Sequence, residues 1–197
     1  MRTVFNKRNG IGLLVFAFCI LLDQISKILT VSHVSLGGDI PLLGGAVHLT
    51  YRQNTGAAFS MLEDQPVFFL IFNTLLVLAL GWLLLSGTVT NGVAYYSLVC
   101  VTAGGVGNLI DRVARGFVVD MLDFRFFKIP QISFHPFSVR LADFAVFNIA
   151  DSFITCGAIL FLIIFFVKKG EVLAWSSTSK KKMQDAGSTD SSPKTPD

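Results

Sequence analysis

The sequence predicts an all-α membrane protein of four transmembrane helices, and three observations carry that reading. Hydrophobic residues fill 52% of the 197 positions and the mean hydropathy is +0.64, more oil than the skin of an ordinary soluble domain can cover. The oil gathers into blocks near residues 12–30, 67–86, 93–110 and 144–167, each close to the ~20 apolar residues that cross a bilayer. Polar residues concentrate in the two longer connections between the blocks and in the tail.

The first block follows Arg2, Lys7 and Arg8, so the start of the chain imitates a secretory signal. No A-x-A cleavage site follows, and Phe18 before Cys19 is too bulky for a lipid-attachment motif. The apolar run leads instead into Asp23-Gln24-Ile25-Ser26-Lys27, and the block is expected to stay as a span. In the next connection Gly37-Gly38 and Gly44-Gly45 bracket turns. Val47, Leu49 and Tyr51 then alternate with His48, Thr50 and Arg52, the period of two that marks a strand. Asn54-Thr55-Gly56 closes it, residues 57–62 suit a short amphipathic helix, and Pro66 suits the first turn of the second span.

Only the uncharged residues 87–92 separate the second and third blocks, which makes those helices antiparallel neighbours. Basic clusters abut the outer spans: Arg2, Lys7 and Arg8 at one end, Lys168, Lys169 and Lys180 to Lys182 at the other, so both termini are expected in the cytoplasm. The four-helix transmembrane unit is bounded at residues 1–170, with 171–197, rich in Ser, Thr, Lys, Asp and Pro, expected as a disordered cytoplasmic tail.

Composition also excludes functions. Lys and Arg flank apolar spans without interleaved aromatics, so no nucleic-acid surface is implied. Cys19, Cys100 and Cys156 lie inside apolar blocks and read as small buried hydrophobes. His33, His48 and His135 lack zinc-type spacing, and neither metal nor other cofactor is expected.

An Asp or Lys at mid-span costs roughly 2.5–3.5 kcal/mol, so each polar group there needs a reason. Asp23 and Lys27 stand four apart in the acid-first order of a helical ion pair, read as a structural pair near the membrane surface. The third span ends in Gly104-Gly105-Val106-Gly107-Asn108-Leu109-Ile110-Asp111-Arg112. Its glycines, Gly105 among them, permit close helix approach, while Asn108, Asp111 and Arg112 share a face and imply a wet cavity. Val118-Val119-Asp120-Met121 embeds a carboxylate in an apolar stretch outside the span. In the fourth span Asn148, Asp151, Ser152 and Thr155 form one polar stripe. Asp151 has no basic neighbour within a turn, so it needs a partner from another element or a proton, and Asp120 is the natural candidate.

Two facing carboxylates that share one proton can hydrolyse an amide, the ionised member taking a proton from water while the other donates to the carbonyl. The titration belongs to the pair, and neither role falls to a particular Asp. A small channel or proton-coupled transporter would also place Asp, Asn and Arg within spans. Against it, the polar groups gather towards one face, and the middle of the second span offers only Asn73 and Thr74.

The stretches LLDQISK, NTGAAFS, GGVGNLIDR through VVDMLDF, and FNIADSF occur in the order found in lipoprotein signal peptidases, which the chain resembles over about residues 11–167. The resemblance implies an aspartic endopeptidase of the bacterial inner membrane, with a small extracytoplasmic β-sheet and a short interfacial helix added to the four spans. Its substrates would be diacylglyceryl prolipoproteins, cut just before the lipidated cysteine; it would work as a monomer among membrane lipid and bind globomycin-like cyclic peptides. Asp120 and Asp151 fall on the family's catalytic aspartates, and Asn108, Arg112 and Asn148 on polar residues lining the site. Asn54 falls on a substrate-contacting asparagine, and Asp23, Lys27, Gly105 and Asp111 are expected to be structural. Two departures stand out: Met121 replaces the usual Phe, and extra residues near 126–141 suggest an enlarged loop, which reads as a lid, with Asp143 a decoy for motif scanning.

Overall fold

The computed structural model describes residues 7–56, 66–125, 146–168 and 171–173. The chain runs α1 (Lys7–His33), β1 (Asp39–Leu42), a 3-10 turn (Leu43–Gly45), β2 (Val47–Asn54), α2 (Pro66–Leu85), α3 (Gly92–Arg115), β3 (Val118–Phe124) and α4 (Ile149–Val167). All four helices are long and apolar enough to cross a membrane. The helix expected near 57–62, the loop near 126–141 with Asp143, His135, and the tail beyond 173 lie outside the described residues.

Capping chemistry moves two helix boundaries. The third helix opens where Asn91 accepts the Ala94 amide at 3.1 Å, and it stops at Gly116, whose left-handed φ of 81° a side chain would resist. The helix therefore runs past the apolar block near 93–110, and Asp111 and Arg112 are helical as their shared spacing with Asn108 implies. The fourth helix starts at Ile149 rather than near 144, because Asn148 is its N-cap. Asn148 Oδ1 accepts the Asp151 amide at 2.9 Å, and Asp151 Oδ2 accepts the Asn148 amide at 3.2 Å, a reciprocal capping box. The polar stripe thus begins in a cap, and Asp151 sits in the first turn of the helix.

The sheet has order β1-β2-β3, antiparallel throughout. Only β2 is legible from alternation. Strand β3 reads as a loop in the sequence because Val118, Val119, Asp120 and Met121 are all buried, leaving no polar partner to alternate with. A register shift between Leu49 and Arg52 also breaks the parity of β2, so Thr50 and Tyr51 are both buried where alternation sets them on opposite faces.

Helix α3 is central. Gly12 of α1 lies against Tyr95, Asp23 against Gly107 and Lys27 beside Asp111, so α1 and α3 run parallel. Helix α4 runs the other way, with Ala150 at Gly104 and Gly157 at Ser97. A Cβ at Gly104 would stand 2.4 Å from the Ala150 carbonyl oxygen and one at Gly107 2.5 Å from Asp23 Oδ2, so these positions set the helix spacing. Helix α2 touches α3 alone among the helices, through Val77 and the Asn73 Nδ2 bond of 3.0 Å to the Gly105 carbonyl. The segment 171–173, expected in the tail, instead packs into the far end: Val172 is fully buried beside Val89, and the Thr90 amide donates to its carbonyl at 2.8 Å. Cys19 is buried as expected, whereas Cys156 is exposed on the outside of α4.

At the other end one ammonium ties the elements together. Lys27 Nζ reaches Asp23 Oδ2 at 2.9 Å, Asp111 Oδ2 at 3.0 Å and Asn108 Oδ1 at 3.0 Å, with no exposure of the lysine at all. The pair Asp23–Lys27 is therefore buried inside the protein and joined to α3. Asp23 Oδ1 accepts the Ala150 amide at 2.9 Å, fixing the start of α4, and Asp111 Oδ2 accepts the Val119 amide at 3.1 Å, fixing the start of β3.

Replacing Lys27 with Met strands buried carboxylates, and an apparent loss of about 3–5 kcal/mol is expected, read as a lower thermal midpoint in detergent; an unchanged midpoint would show the ion cluster to be idle. Gly104→Ala is expected to cost roughly 1–3 kcal/mol by overpacking. Gly81→Ala, where nothing lies within 4 Å of the added carbon, should be neutral or stabilising in the same assay.

Candidate active site

Asp120 and Asp151 arrive from different elements and meet around one residue. Strand β3 carries Asp120, 3% exposed, and the first turn of α4 carries Asp151. Asn148 serves both: its Nδ2 donates to Asp120 Oδ1 at 2.7 Å, while its backbone and side chain form the capping box with Asp151. The cap therefore fixes one carboxylate and its amide the other.

Each acid has a second amide partner. Asn54, at the end of β2, donates to Asp120 Oδ2 at 2.9 Å, and Asn108 on α3 donates to Asp151 Oδ1 at 2.7 Å. Asn54 is itself held because its Oδ1 accepts the Gly56 amide at 3.0 Å. The side-chain Oδ1 of Asn108 accepts from Lys27 Nζ at 3.0 Å and from Asn148 Nδ2 at 3.2 Å, which forces its amide nitrogen towards Asp151. Thus Lys27 acts on the pair through Asn108 without touching either acid.

Burial first, and then the charge of Asp151, push the Asp120 carboxyl up from 3.8 to about 6, against the opposite pull of the Asn54 and Asn148 amides and of Lys27. Such a group holds a proton across the weakly acidic range, which is the electrostatic condition for a shared proton.

Asp111 and Arg112, adjacent in sequence, part company. Asp111 is fully buried and turns to Lys27, to Arg115 Nη1 and to Gln24 Nε2 at 3.4 Å. Arg112 turns the other way, its Nη1 3.4 Å from the Asn108 carbonyl and its Nη2 3.5 Å from that of Gly56, with the guanidinium 6.0 Å from the Phe69 ring centre on α2. Its charge acts on Asp151 and then Asp120. Gly105 faces α2 and lies below the acids. Met121, in place of the usual Phe, points away from them and takes the Thr30 hydroxyl on its sulfur at 3.3 Å.

Sequence reasoning passed over Gln24. Its amide nitrogen reaches Asp23 Oδ2 at 3.1 Å and the Gly107 carbonyl at 3.1 Å, tying α1 to α3 beside Lys27. Its signal was its place beside Asp23 in an apolar block, where an amide is as unusual as a charge. Phe69 carried no signal at all among the many phenylalanines. Among the described residues the buried charged side chains Asp23, Lys27, Asp111 and Asp120 gather at this one end, and no polar track continues through α2 as a conduction path would require.

Comparison with known proteins bears on the family and the fold. The family model for Signal peptidase (SPase) II matches residues 15–167. A lipoprotein signal peptidase of Streptococcus pyogenes serotype M1 is 40% identical over 144 residues, covering 73% of this chain and 85% of that one. Another, from Caldanaerobacter subterraneus subsp. tengcongensis, is 36% identical over 156 residues, covering 78% and 96%. A solved bacterial membrane enzyme superposes with a TM-score of 0.65 at 29% identity, covering 79% of this chain and 92% of its own. A match over most of the length, relatives of this similarity and four apolar helices in the fold of a membrane enzyme lead to one conclusion: the chain is a multi-pass membrane peptidase belonging to the signal peptidase II family.

Proposed function

We propose that this chain is an intramembrane aspartic endopeptidase that removes the signal peptide from diacylglyceryl-modified prolipoproteins, cutting just before the lipidated cysteine. The observation that carries the reading is the bridging of Asp120 and Asp151 by Asn148 at the buried end of the bundle. The ionised member of the pair takes a proton from water as the oxygen attacks the scissile carbonyl, and the protonated member donates to the carbonyl oxygen. Collapse of the tetrahedral adduct then returns a proton to the departing nitrogen, which frees the amino group of the lipidated cysteine.

Other residues support these steps without reacting. Asn108 and Asn148 orient the carboxylates, and the cation of Arg112 offsets charge beside them and presents donors to a peptide backbone. Asn54 combines a hold on Asp120 with a position at the mouth, where a substrate contact is open to it. Asp23, Lys27, Gly105 and Asp111 set the spacing of the frame. The chemistry calls for no cofactor. The protein works as a monomer in the bacterial inner membrane, in contact with its lipid; basic clusters at both chain ends keep the termini cytoplasmic and place the acids at the outer surface.

With a lipidated prolipoprotein as substrate, Asp120→Asn and Asp151→Asn are each expected to lower cleavage by at least roughly 10²–10⁴-fold while membrane insertion is unchanged. Cleavage retained by either variant removes the dyad. Inhibition by globomycin separates the peptidase from a channel, which has no reason to respond to it.

A further inference from the structure

Two of the three cysteines face each other across the contact between α1 and α3. The buried residues of α1 are Gly12, Cys19, Asp23, Lys27 and Thr30, whose helical spacing sets them in one stripe. On α3 Cys100 precedes Gly107 by two turns and Asp111 by three, which puts it on the stripe that meets α1. The pairing keeps register: Lys27 bonds Asn108, 81 positions on, and Cys19 and Cys100 are the same 81 apart, two turns earlier on both helices. Their thiols share a hydrogen bond, and both are free. Gly12 against Tyr95 on one side, and Gly107 against Asp23 on the other, hold the two backbones close at this level.

We propose that Cys19 and Cys100 form a reactive pair that closes into a disulfide when a lipid-soluble hydroperoxide reaches it through the bilayer, stapling α1 to α3. Place and access select the reagent. Cys19 lies near the middle of α1, so an oxidant confined to water is kept off by about 15 Å of hydrocarbon, half of the ~30 Å core. Cys19 is 3% exposed, whereas Cys100 is half-buried and meets the reagent first. The Cys100 sulfur takes one peroxide oxygen as the O–O bond breaks, which gives a sulfenic acid and an alcohol. The Cys19 sulfur then bonds to that sulfur, and the sulfenic oxygen leaves as water with the thiol proton. Two thiols and one hydroperoxide thus yield one disulfide, one alcohol and one water. The loop so closed holds β1, β2 and all of α2, so the bond restricts the unfolded chain strongly. It leaves the ion cluster alone, since Lys27 and Asn108 lie two turns, ~12 Å, further along.

In the test the full chain in phospholipid vesicles is exposed to cumene hydroperoxide, and the thiols that remain are blocked with iodoacetamide in denaturing detergent. Mass spectrometry of its peptides is expected to show a Cys19–Cys100 link, with Cys156, exposed on α4, outside any link within the chain. Oxidised glutathione, confined to water, should leave the pair reduced. The linked chain should melt roughly 5–10 °C above the reduced one. Cys19→Ser and Cys100→Ser lose both the link and the rise, while Cys156→Ser keeps both. Cys19 and Cys100 found blocked after the hydroperoxide, a link made through Cys156, equal linking by oxidised glutathione, or an unchanged midpoint in the linked chain overturns the proposal.

Discussion

A single buried ammonium governs this structure. Lys27 has three protons to donate and finds three acceptors, the carboxylates of Asp23 and Asp111 and the amide carbonyl of Asn108. A lysine in that setting is tolerable only with full pairing, since desolvating an isolated charge costs several kcal/mol. What the pairing achieves is geometric. Asp23 uses its other oxygen on the first turn of α4 and Asp111 shares its Oδ2 with the Val119 amide of β3, the two elements that carry Asp151 and Asp120. Asn108 relays the same cation to Asp151. Three helices and a strand are registered against one nitrogen atom.

From that constraint the acidity of the site follows. Asp120 sits in a dry environment beside a second carboxylate, conditions that raise its affinity for a proton against the opposing pull of its amide donors Asn54 and Asn148. The cation that could have neutralised the acids directly is spent on their second neighbours. Helix packing is subordinate to the same design: Gly107 has no Cβ because Asp23 occupies that space, and Gly104 none because Ala150 does. Helix α2, which takes no part in the ion cluster, is left on the flank of α3 with most of its surface facing outward.

The sequence displayed the spans plainly because burial in lipid imposes a length and a composition that few other environments do. It displayed β2 through alternation, and it displayed Asp23, Lys27, Asn108, Asp111 and Asp151 because polar groups are conspicuous in oil. What it concealed has physical reasons. Strand β3 is buried on both faces and so lacks a period of two. The bulge in β2 shifts parity after Leu49, which no local residue announces. Asn148 resembled one more member of a helical stripe, whereas capping ends the helix at that residue and frees its amide for Asp120. Asp111 and Arg112 shared a predicted face, yet adjacent residues are turned by ~100° on a helix, enough to send one to the ion cluster and the other towards Gly56 and the Phe69 ring.

The central claim is that the frame built on Lys27 brings Asp120 and Asp151 into one titrating unit. Infrared spectroscopy of the protein with isotopically labelled aspartate reads it directly, through the carbonyl stretch of a protonated carboxyl group. At pH 5, above the ordinary carboxylate range and below the value of about 6 for Asp120, that band should be present; it should fade on raising the pH, be absent in Asp120→Asn, and titrate at lower pH in Asp151→Asn, where the charge that helps raise it is gone. A band missing at pH 5, or one whose midpoint ignores the loss of Asp151, would mean that the two acids do not share a proton.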